Sequence, residues 1–191
     1  MTAPDTKMFA YHLGIVVHDL EAACARYSEL LGVPAWHRSD VERPGVPVNP
    51  NTAGGRGVLH IAFGRVPGMT FELIHPEGTI EHKVHLDRYG EGLQHIGVWT
   101  PDVQAAVHDA VSKGCKVTHA ALTQDVATIT LTPDSPADSI IPFLGNVAYV
   151  NPGLGGFQIE FVGAANPQRH RDMFSEVTDE AIPLPPWYES R

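Results

Sequence analysis

The chain repeats one pattern, and this internal repeat limits the available folds more than any other feature. HLGIVVHDLEAACARY (12–27) aligns without a gap with HIGVWTPDVQAAVHDA (95–110). The alignment superposes His12 on His95, Gly14 on Gly97, and Asp19 on Asp102. Self-similarity of this kind indicates two copies of one supersecondary unit. The sequence therefore predicts two equivalent modules.

Each copy predicts a strand followed by a helix and then further strands. The apolar runs at 11–17 and 94–99 have the length and composition of strands. Asp19 and Asp102 stand where helix N-caps belong, and a glycine closes each helical segment, Gly32 in the first and Gly114 in the second. The further predicted strands are 34–39, 57–64 and 70–75 in the first half, and 116–120, 126–132, 147–151 and 157–163 in the second.

Two βαβββ modules predict an α+β fold in which one curved mixed sheet surrounds a pocket. The modules span about 10–76 and 93–163, within a single domain of residues 1–163, and a C-terminal tail follows at 164–191. Residues 133–146 have no equivalent in the first half and predict an ordered binding loop. The 191 residues, 43% hydrophobic and 18% charged, suit one globular domain.

Charge and composition exclude several classes of partner. A formal net charge of -9 disfavours binding to nucleic acid and to anionic membrane surfaces. No stretch approaches the roughly 20 apolar residues of a membrane span, and residues 1–10 lack the apolar run of a signal peptide. Cys24 and Cys115 match no metal-binding spacing. We therefore expect a cytoplasmic protein with reduced thiols.

The repeat ends on a second matched pair of ionisable residues. FELIHP (71–76) aligns with IEFVGA (159–164), which superposes Glu72 on Glu160. A single histidine on an apolar strand is more often a core residue than a ligand. Two histidines and two glutamates at matched positions are different, because buried carboxylates need a cationic partner.

The matched set predicts a metal site. The four residues are His12, Glu72, His95 and Glu160. Imidazole and carboxylate ligands suit Zn²⁺, Ni²⁺, Co²⁺, Mn²⁺ or Fe²⁺. Such an ion, holding two adjacent substrate oxygens, would acidify the neighbouring C–H bond and stabilise an enediolate. One of the carboxylates would then move the proton.

Four segments together resemble the vicinal oxygen chelate superfamily, the group of glyoxalase I, methylmalonyl-CoA epimerase and extradiol dioxygenases. They are HLGIVVHDLEAACARYSELLGV, FELIHP, GEGLQHIGVWTPDV and GGFQIEFVG, spread over about 12–163. The resemblance is closest to epimerase-like members around DRYGEGLQHIGV and NPGLGGFQIEFV. It implies the same four metal ligands. A glutamate at 72 is similar to bacterial glyoxalase I, and the resemblance favours Glu160 as the base, with Glu72 as its counterpart.

The expected function is that of a metal-dependent lyase or isomerase of the glyoxalase/epimerase type, acting on a small carbonyl or thioester substrate. We also expect a homodimer. Epimerases carry a further glutamate before the third strand, where this chain has Gly55 and Arg56, so we predict little methylmalonyl-CoA epimerisation. One alternative is an Fe(II)-dependent extradiol-type dioxygenase, with His12, His95 and Glu160 as ligands. Another is a ligand-sequestering resistance protein without turnover.

A few residues outside this set carry predictions of their own. Trp99 shares the strand face of His95, so it either lines the substrate pocket or packs in the core. Arg56 would steer an anionic group of the substrate. His82 and His85 are typical of a solvated helix face, and His119 of a solvated or packing histidine.

Overall fold

Eight strands and three helices follow one another in the residues that the structure, a computed structural model, describes: 8–43, 55–122 and 139–163. In chain order they are β1 (Phe9–Val16), α1 (Leu20–Leu31), β2 (Trp36–Arg43), β3 (Gly57–Val66), β4 (Met69–Gly78), α2 (Glu81–Tyr89), β5 (Gly92–Thr100), α3 (Val103–Ser112), β6 (Lys116–Leu122), β7 (Leu144–Asn151) and β8 (Gln158–Gly163). None of the helices in these ranges has the length and hydropathy to cross a membrane.

The strands form one mixed sheet in the order β2-β3-β4-β1-β5-β8-β7-β6. Within each module the first and last strands are parallel, β1 with β4 and β5 with β8. The two modules join through the antiparallel pair β1–β5 at the centre of the sheet. The predicted α+β fold, two βαβββ modules in one curved mixed sheet, is confirmed.

The predicted elements match the observed ones closely where the structure describes them. Strands predicted at 11–17, 34–39, 57–64 and 70–75 correspond to β1–β4, and those at 94–99, 116–120, 147–151 and 157–163 correspond to β5–β8. The strand predicted at 126–132 and the tail at 164–191 lie outside the described residues. Most of the loop 133–146 does so too, and its described end forms a short 3₁₀ turn, Ile141–Phe143, before β7.

The two faces of the sheet have different coverings. Helices α1 and α3 pack on the outer face, over two apolar clusters that contain Leu73 and Phe161 respectively. The inner face carries a third apolar cluster, which includes Ile80, the N-cap residue of α2, and Leu86 within the helix. Helix α2 connects the two modules.

Helix α2 corrects one prediction. His82 and His85 were expected to face solvent, and this is wrong, because they are 1% and 7% exposed. His85 and Leu86 follow His82 by three and four residues, so the three side chains form one stripe of the helix and the face that buries the leucine also buries the imidazoles. The segment has few apolar residues, so its sequence pattern did not show which face is buried.

Candidate metal centre

Strand register brings the four predicted ionisable residues to one place on the inner face. Glu72 on β4 lies beside Gly14 on β1, which in turn faces His95 on β5. The second row repeats this arrangement in reverse: His12 on β1 faces Gly97 on β5, which lies beside Glu160 on β8. Each module thus supplies one histidine and one glutamate, related by an approximate twofold axis.

The two glycines leave room for the imidazoles. A Cβ atom on Gly14 would lie 1.9 Å from Cε1 of His95, and a Cβ atom on Gly97 would lie 2.0 Å from Cε1 of His12. Only a residue without a side chain permits this approach. The repeated His-x-Gly motif therefore has a direct structural cause, because each glycine accommodates the histidine of the other module.

The ligand atoms of the four residues point at a common centre. Nε2 of His12 lies 2.9 Å from Nε2 of His95, 3.0 Å from Oε2 of Glu72 and 3.1 Å from Oε2 of Glu160. Nε2 of His95 lies 3.1 Å and 3.5 Å from the same two carboxylate oxygens. All four atoms lie within 4.8 Å of one another, and all four residues are buried.

This arrangement fits a divalent transition metal. Ligand atoms about 2.1 Å from one ion lie roughly 3.0–3.4 Å apart at angles between octahedral and tetrahedral, close to the spacing of neighbouring ligand atoms here. Oε2 of Glu160 is buried, and within the described residues its polar neighbours are the two imidazoles, with no further hydrogen bond. Two nitrogens and two carboxylate oxygens form a donor set suited to Zn²⁺, Ni²⁺, Co²⁺, Mn²⁺ or Fe²⁺.

The charges inside the cluster shift its titration. Burial alone would lower the pKa of His12, but the carboxylates of Glu72 and Glu160 outweigh it and raise that pKa to about 9. Burial would raise the carboxyl pKa values, yet the imidazoles hold that of Glu72 well below its usual range and lower that of Glu160. In the metal-free protein both carboxylates are therefore ionised at neutral pH and His12 is protonated.

Two residues that the sequence did not single out hold the ligands of the second module. The side-chain oxygen of Gln94 accepts a hydrogen bond from Nδ1 of His95 at 2.5 Å, which leaves Nε2 with its lone pair for a metal. The phenol of Tyr149 donates to Oε1 of Glu160 at 2.5 Å. Gln94 could have been suspected as a polar neighbour of His95, but the contact of Tyr149 depends on register between distant strands.

Two further histidines stand beside this group. The ring of His119 stacks on Tyr149 with centroids 3.8 Å apart, and that of His82 meets His119 edge-on at 5.0 Å. Burial lowers the pKa of His82 to about 3 and holds that of His119 well below its usual value. Both are neutral packing imidazoles around Tyr149.

The two residues predicted to contact substrate, Trp99 and Arg56, lie in different surroundings. Trp99 is 0% exposed and stacks on Tyr11 with ring centroids 3.8 Å apart, and Tyr11 in turn meets the ring of His12. Trp99 therefore packs behind Tyr11. Arg56 is not brought to the centre: it is exposed and precedes β3, roughly 23 Å along the strand from Phe63, the residue paired with Glu72.

Comparison with protein families agrees with this architecture. The sequence model of the Glyoxalase/Bleomycin resistance protein/Dioxygenase superfamily matches residues 11–128. The chain belongs to this superfamily. Among curated proteins, none matches the sequence significantly.

Solved structures of low sequence identity share the superfamily fold. Methylmalonyl-CoA epimerase from Mycobacterium tuberculosis is similar with a TM-score of 0.52 and 22% identity, over 85% of this chain and 92% of that one. A mutant of 4-hydroxymandelate synthase from Streptomyces coelicolor gives a TM-score of 0.53 and 16% identity, over 82% of this chain and 48% of that one. A hypothetical protein from Bacillus halodurans gives 0.50 and 18%, over 82% and 94%.

Proposed function

We propose that the protein is a metal-dependent lyase or isomerase of the glyoxalase/epimerase type, acting on a small carbonyl compound through an enediolate-like intermediate. The observation that carries this proposal is the convergence of two imidazoles and two carboxylates, one of each from either module, on a single buried point. Zn²⁺, Ni²⁺, Co²⁺ or Mn²⁺ would suit these ligands.

A bound ion would polarise the carbonyl of the substrate and so acidify the adjacent C–H bond. Glu72 and Glu160 supply the proton-transfer chemistry of the chain itself. They lie on β4 and β8, the outer two of the four central strands, and so flank the two histidines from opposite sides. Both are ionised at neutral pH, as a general base must be before it takes a proton.

The position of Glu72 favours this reaction class over a dioxygenase. A two-histidine, one-carboxylate iron site would use His12, His95 and Glu160 and leave Glu72 over. Oε2 of Glu72 is 3.0 Å and 3.1 Å from the two imidazoles, at least as close as the carboxylate of Glu160. A fourth ligand at this place supports a set of four protein ligands instead of three.

We propose a carbonyl or thioester compound as the substrate class. Arg56 is exposed, and a Cβ atom on Gly55 would lie 2.0 Å from the backbone oxygen of Thr79, so this segment brings no further acid to the centre. We therefore expect little methylmalonyl-CoA epimerisation. Formation of a homodimer and a cytoplasmic location stay predictions from the sequence.

Metal analysis and a substrate screen test the proposal. The purified protein should contain about one divalent ion per chain and should turn over an α-ketoaldehyde hemithioacetal or an acyl-CoA thioester without oxygen. The α-hydrogen of that substrate should exchange with solvent deuterium. Oxygen consumption that requires Fe²⁺ would instead identify a dioxygenase, and binding without any turnover would identify a sequestering protein.

Two variants on one strand provide the matched control. Glu72→Gln should lower the rate of deuterium exchange, whereas Glu77→Gln should leave it unchanged. Glu77 lies on the same strand, but its side chain is 61% exposed and outside the cluster. Equal rates in the two variants would rule out a role for Glu72.

A further inference from the structure

The two halves of the metal centre are equivalent in position but not in their neighbours. Tyr149 on β7 pairs directly with Glu160 on β8. In the first module the equivalent pair is Phe63 on β3 and Glu72 on β4. Directly opposed residues on antiparallel strands point to the same face of the sheet, so each aromatic ring lies beside a carboxylate ligand.

The two rings also meet the histidines in the same way. The ring of Tyr149 stands edge-on to His95, with centroids 5.2 Å apart and planes at 89°. That of Phe63 stands edge-on to His12, at 6.1 Å and 83°. Tyr149 and Phe63 are therefore structural counterparts, and the chemical difference between them is one hydroxyl group.

The hydroxyl group of Tyr149 holds the carboxylate of Glu160, and Glu72 has no equivalent contact with Phe63. The phenol of Tyr149 donates a hydrogen bond of 2.5 Å to Glu160, and short hydrogen bonds to an ionised acceptor are strong. Phe63 has no donor to offer. Within the described residues, the polar contacts of Glu72 are those with the two imidazoles.

The two histidines also differ in hydrogen bonding, and again the one in the second module is held. Nδ1 of His95 is held by the side-chain oxygen of Gln94. The sequence repeat places Tyr11 where the second module has Gln94. Nδ1 of His12 is buried and has no hydrogen-bond partner among the residues that the structure describes. Outer partners fix the orientation of metal ligands. In the described part of the chain, both ligands of the second module have such a partner and neither ligand of the first does.

We infer that the metal centre consists of a fixed half, His95 and Glu160, whose side chains are held by outer hydrogen bonds, and an exchangeable half, His12 and Glu72, whose side chains are not held in this way. We further infer that Glu72 carries the substrate proton. The role of Glu72 rests on the proposed function, whereas the difference between the halves does not. Gln94 and Tyr149 are positioning residues, because they act through the ligands they hold.

The proton step follows from this difference. The α-C–H bond of the substrate breaks, its electron pair moves toward the carbonyl oxygen to give the enediolate, and the proton forms an O–H bond on Glu72. The protonated Glu72 then returns the proton to carbon. The bond from Tyr149 to Oε1 restrains Glu160 from swinging toward the substrate, whereas Glu72 has Phe63, and no such phenol, at the equivalent position. The resemblance favoured Glu160 as the base, whereas our inference assigns this role to Glu72.

Exchanging the hydroxyl group between the modules tests the fixed and exchangeable halves without any substrate. Co²⁺ affinity and the visible spectrum of bound Co²⁺ should be measured in Tyr149→Phe and in Phe63→Tyr. Tyr149→Phe should weaken Co²⁺ binding roughly 10–100-fold and alter the spectrum. Phe63→Tyr should bind Co²⁺ as well as the wild type or better.

Two outcomes would overturn the difference between the halves. One is a Co²⁺ affinity in Tyr149→Phe within twofold of the wild type, and the other is a loss in Phe63→Tyr as large as that in Tyr149→Phe. If Tyr149→Phe does not fold, as judged by circular dichroism, Gln94→Met removes the acceptor of His95 and should weaken Co²⁺ binding in the same range. Wild-type affinity in Gln94→Met would equally contradict a fixed half.

Deuterium exchange into the substrate tests the role of Glu72. Glu72→Gln should lower exchange at least 100-fold while Co²⁺ affinity falls less than tenfold, because an amide oxygen still coordinates. Phe63→Tyr should slow exchange about tenfold by clamping Glu72. Loss of exchange in Glu160→Gln with full exchange in Glu72→Gln would assign the proton to the other carboxylate. Absence of exchange in the wild type would overturn the role of Glu72 together with the proposed function, while the Co²⁺ affinities would still decide the asymmetry.

Discussion

One added carbon atom at Gly14 or Gly97 would collide with an imidazole of the opposite module. The nearest ring atom would lie 1.9 Å from a Cβ on Gly14 and 2.0 Å from a Cβ on Gly97, far inside van der Waals contact. We expect Gly14→Ala and Gly97→Ala each to displace one histidine and to weaken metal binding at least tenfold. Calorimetric titration with Zn²⁺ would measure the loss.

Gly163→Ala is the matched control for these two variants. Gly163 also lies on a central strand, but a Cβ atom there would come no closer than 3.2 Å to Asn146. Its metal affinity should stay within twofold of the wild type. A similar loss in all three alanine variants would show that general strain in the sheet, and not displacement of the imidazoles, governs the affinity.

We expect metal binding to depend on pH through the protonation of His12. A metal binds the neutral imidazole, but Glu72 and Glu160 raise the pKa of His12 to about 9 in the metal-free protein. Below that pH the ion must displace a proton, so affinity should fall about tenfold per unit as the pH drops from 9 toward 6. Both carboxylates stay ionised over this range.

Calorimetry in two buffers of different ionisation enthalpy gives the number of protons released. We expect about one proton from His12 at pH 7, since its pKa lies above that pH. In His12→Gln this proton should not be released. An unchanged proton count in this variant, or a wild-type affinity independent of pH between 6 and 9, would contradict the protonated state of His12.

At the scale of elements, the two outer helices begin in the same way. The side chain of Asp19 accepts a hydrogen bond from the backbone N–H of Ala22, and that of Asp102 from Ala105, both at 2.9 Å. Removing an N-cap costs about 1 kcal/mol. We expect Asp19→Ala and Asp102→Ala each to lower the free energy of unfolding by that amount in urea denaturation.

Asp109→Ala serves as the reference for the cap variants. Asp109 lies in α3 as well, but it forms an ion pair with the exposed Lys113 one turn later. Such pairs contribute less than about 0.5 kcal/mol. If the cap variants unfold at the same urea concentration as Asp109→Ala, the helix starts do not contribute as the hydrogen bonds suggest.

The elements themselves could be predicted because local chemistry specifies them. Aspartate caps, apolar runs of strand length and closing glycines are short-range signals, and the repeat supplied each of them twice. Helix α2 shows where this stops, because His82 and His85 are buried by packing that depends on Ile80 and Leu86 meeting β3 and β4. The exposed or buried face of so polar a helix is a tertiary property.

In the candidate site, too, the sequence predicts what local signals specify and misses what depends on tertiary contacts. His12, Glu72, His95 and Glu160 could be grouped from the sequence, because the repeat placed ionisable residues at matched positions. The role of Tyr149 could not, since its contact with Glu160 depends on the pairing of β7 with β8. For Trp99, strand alternation predicts the face of the sheet on which the side chain lies. It does not predict whether that side chain lines a pocket or is buried in the core.

At the scale of the whole molecule, the candidate metal centre lies between the two modules and draws its ligands from both. Each module contributes one histidine and one glutamate, and the antiparallel pair β1–β5 brings the two contributions together. Neither half alone offers more than two of the four ligands. A bound ion is therefore a cross-link between the modules as well as part of the proposed chemistry.

This cross-link predicts how metal changes thermal stability. A ligand present at 100 times its Kd stabilises the native state by about 2.7 kcal/mol, which raises the Tm of a protein of this size by roughly 5–10 °C. Because the modules share one ion, His12→Ala and His95→Ala should abolish the increase equally. His60→Ala, which removes a partly exposed histidine paired with Asp40 on β2, should keep it. Calorimetric scans with and without Zn²⁺ would measure the three variants, and an increase retained in His12→Ala or His95→Ala would place the stabilising ion elsewhere.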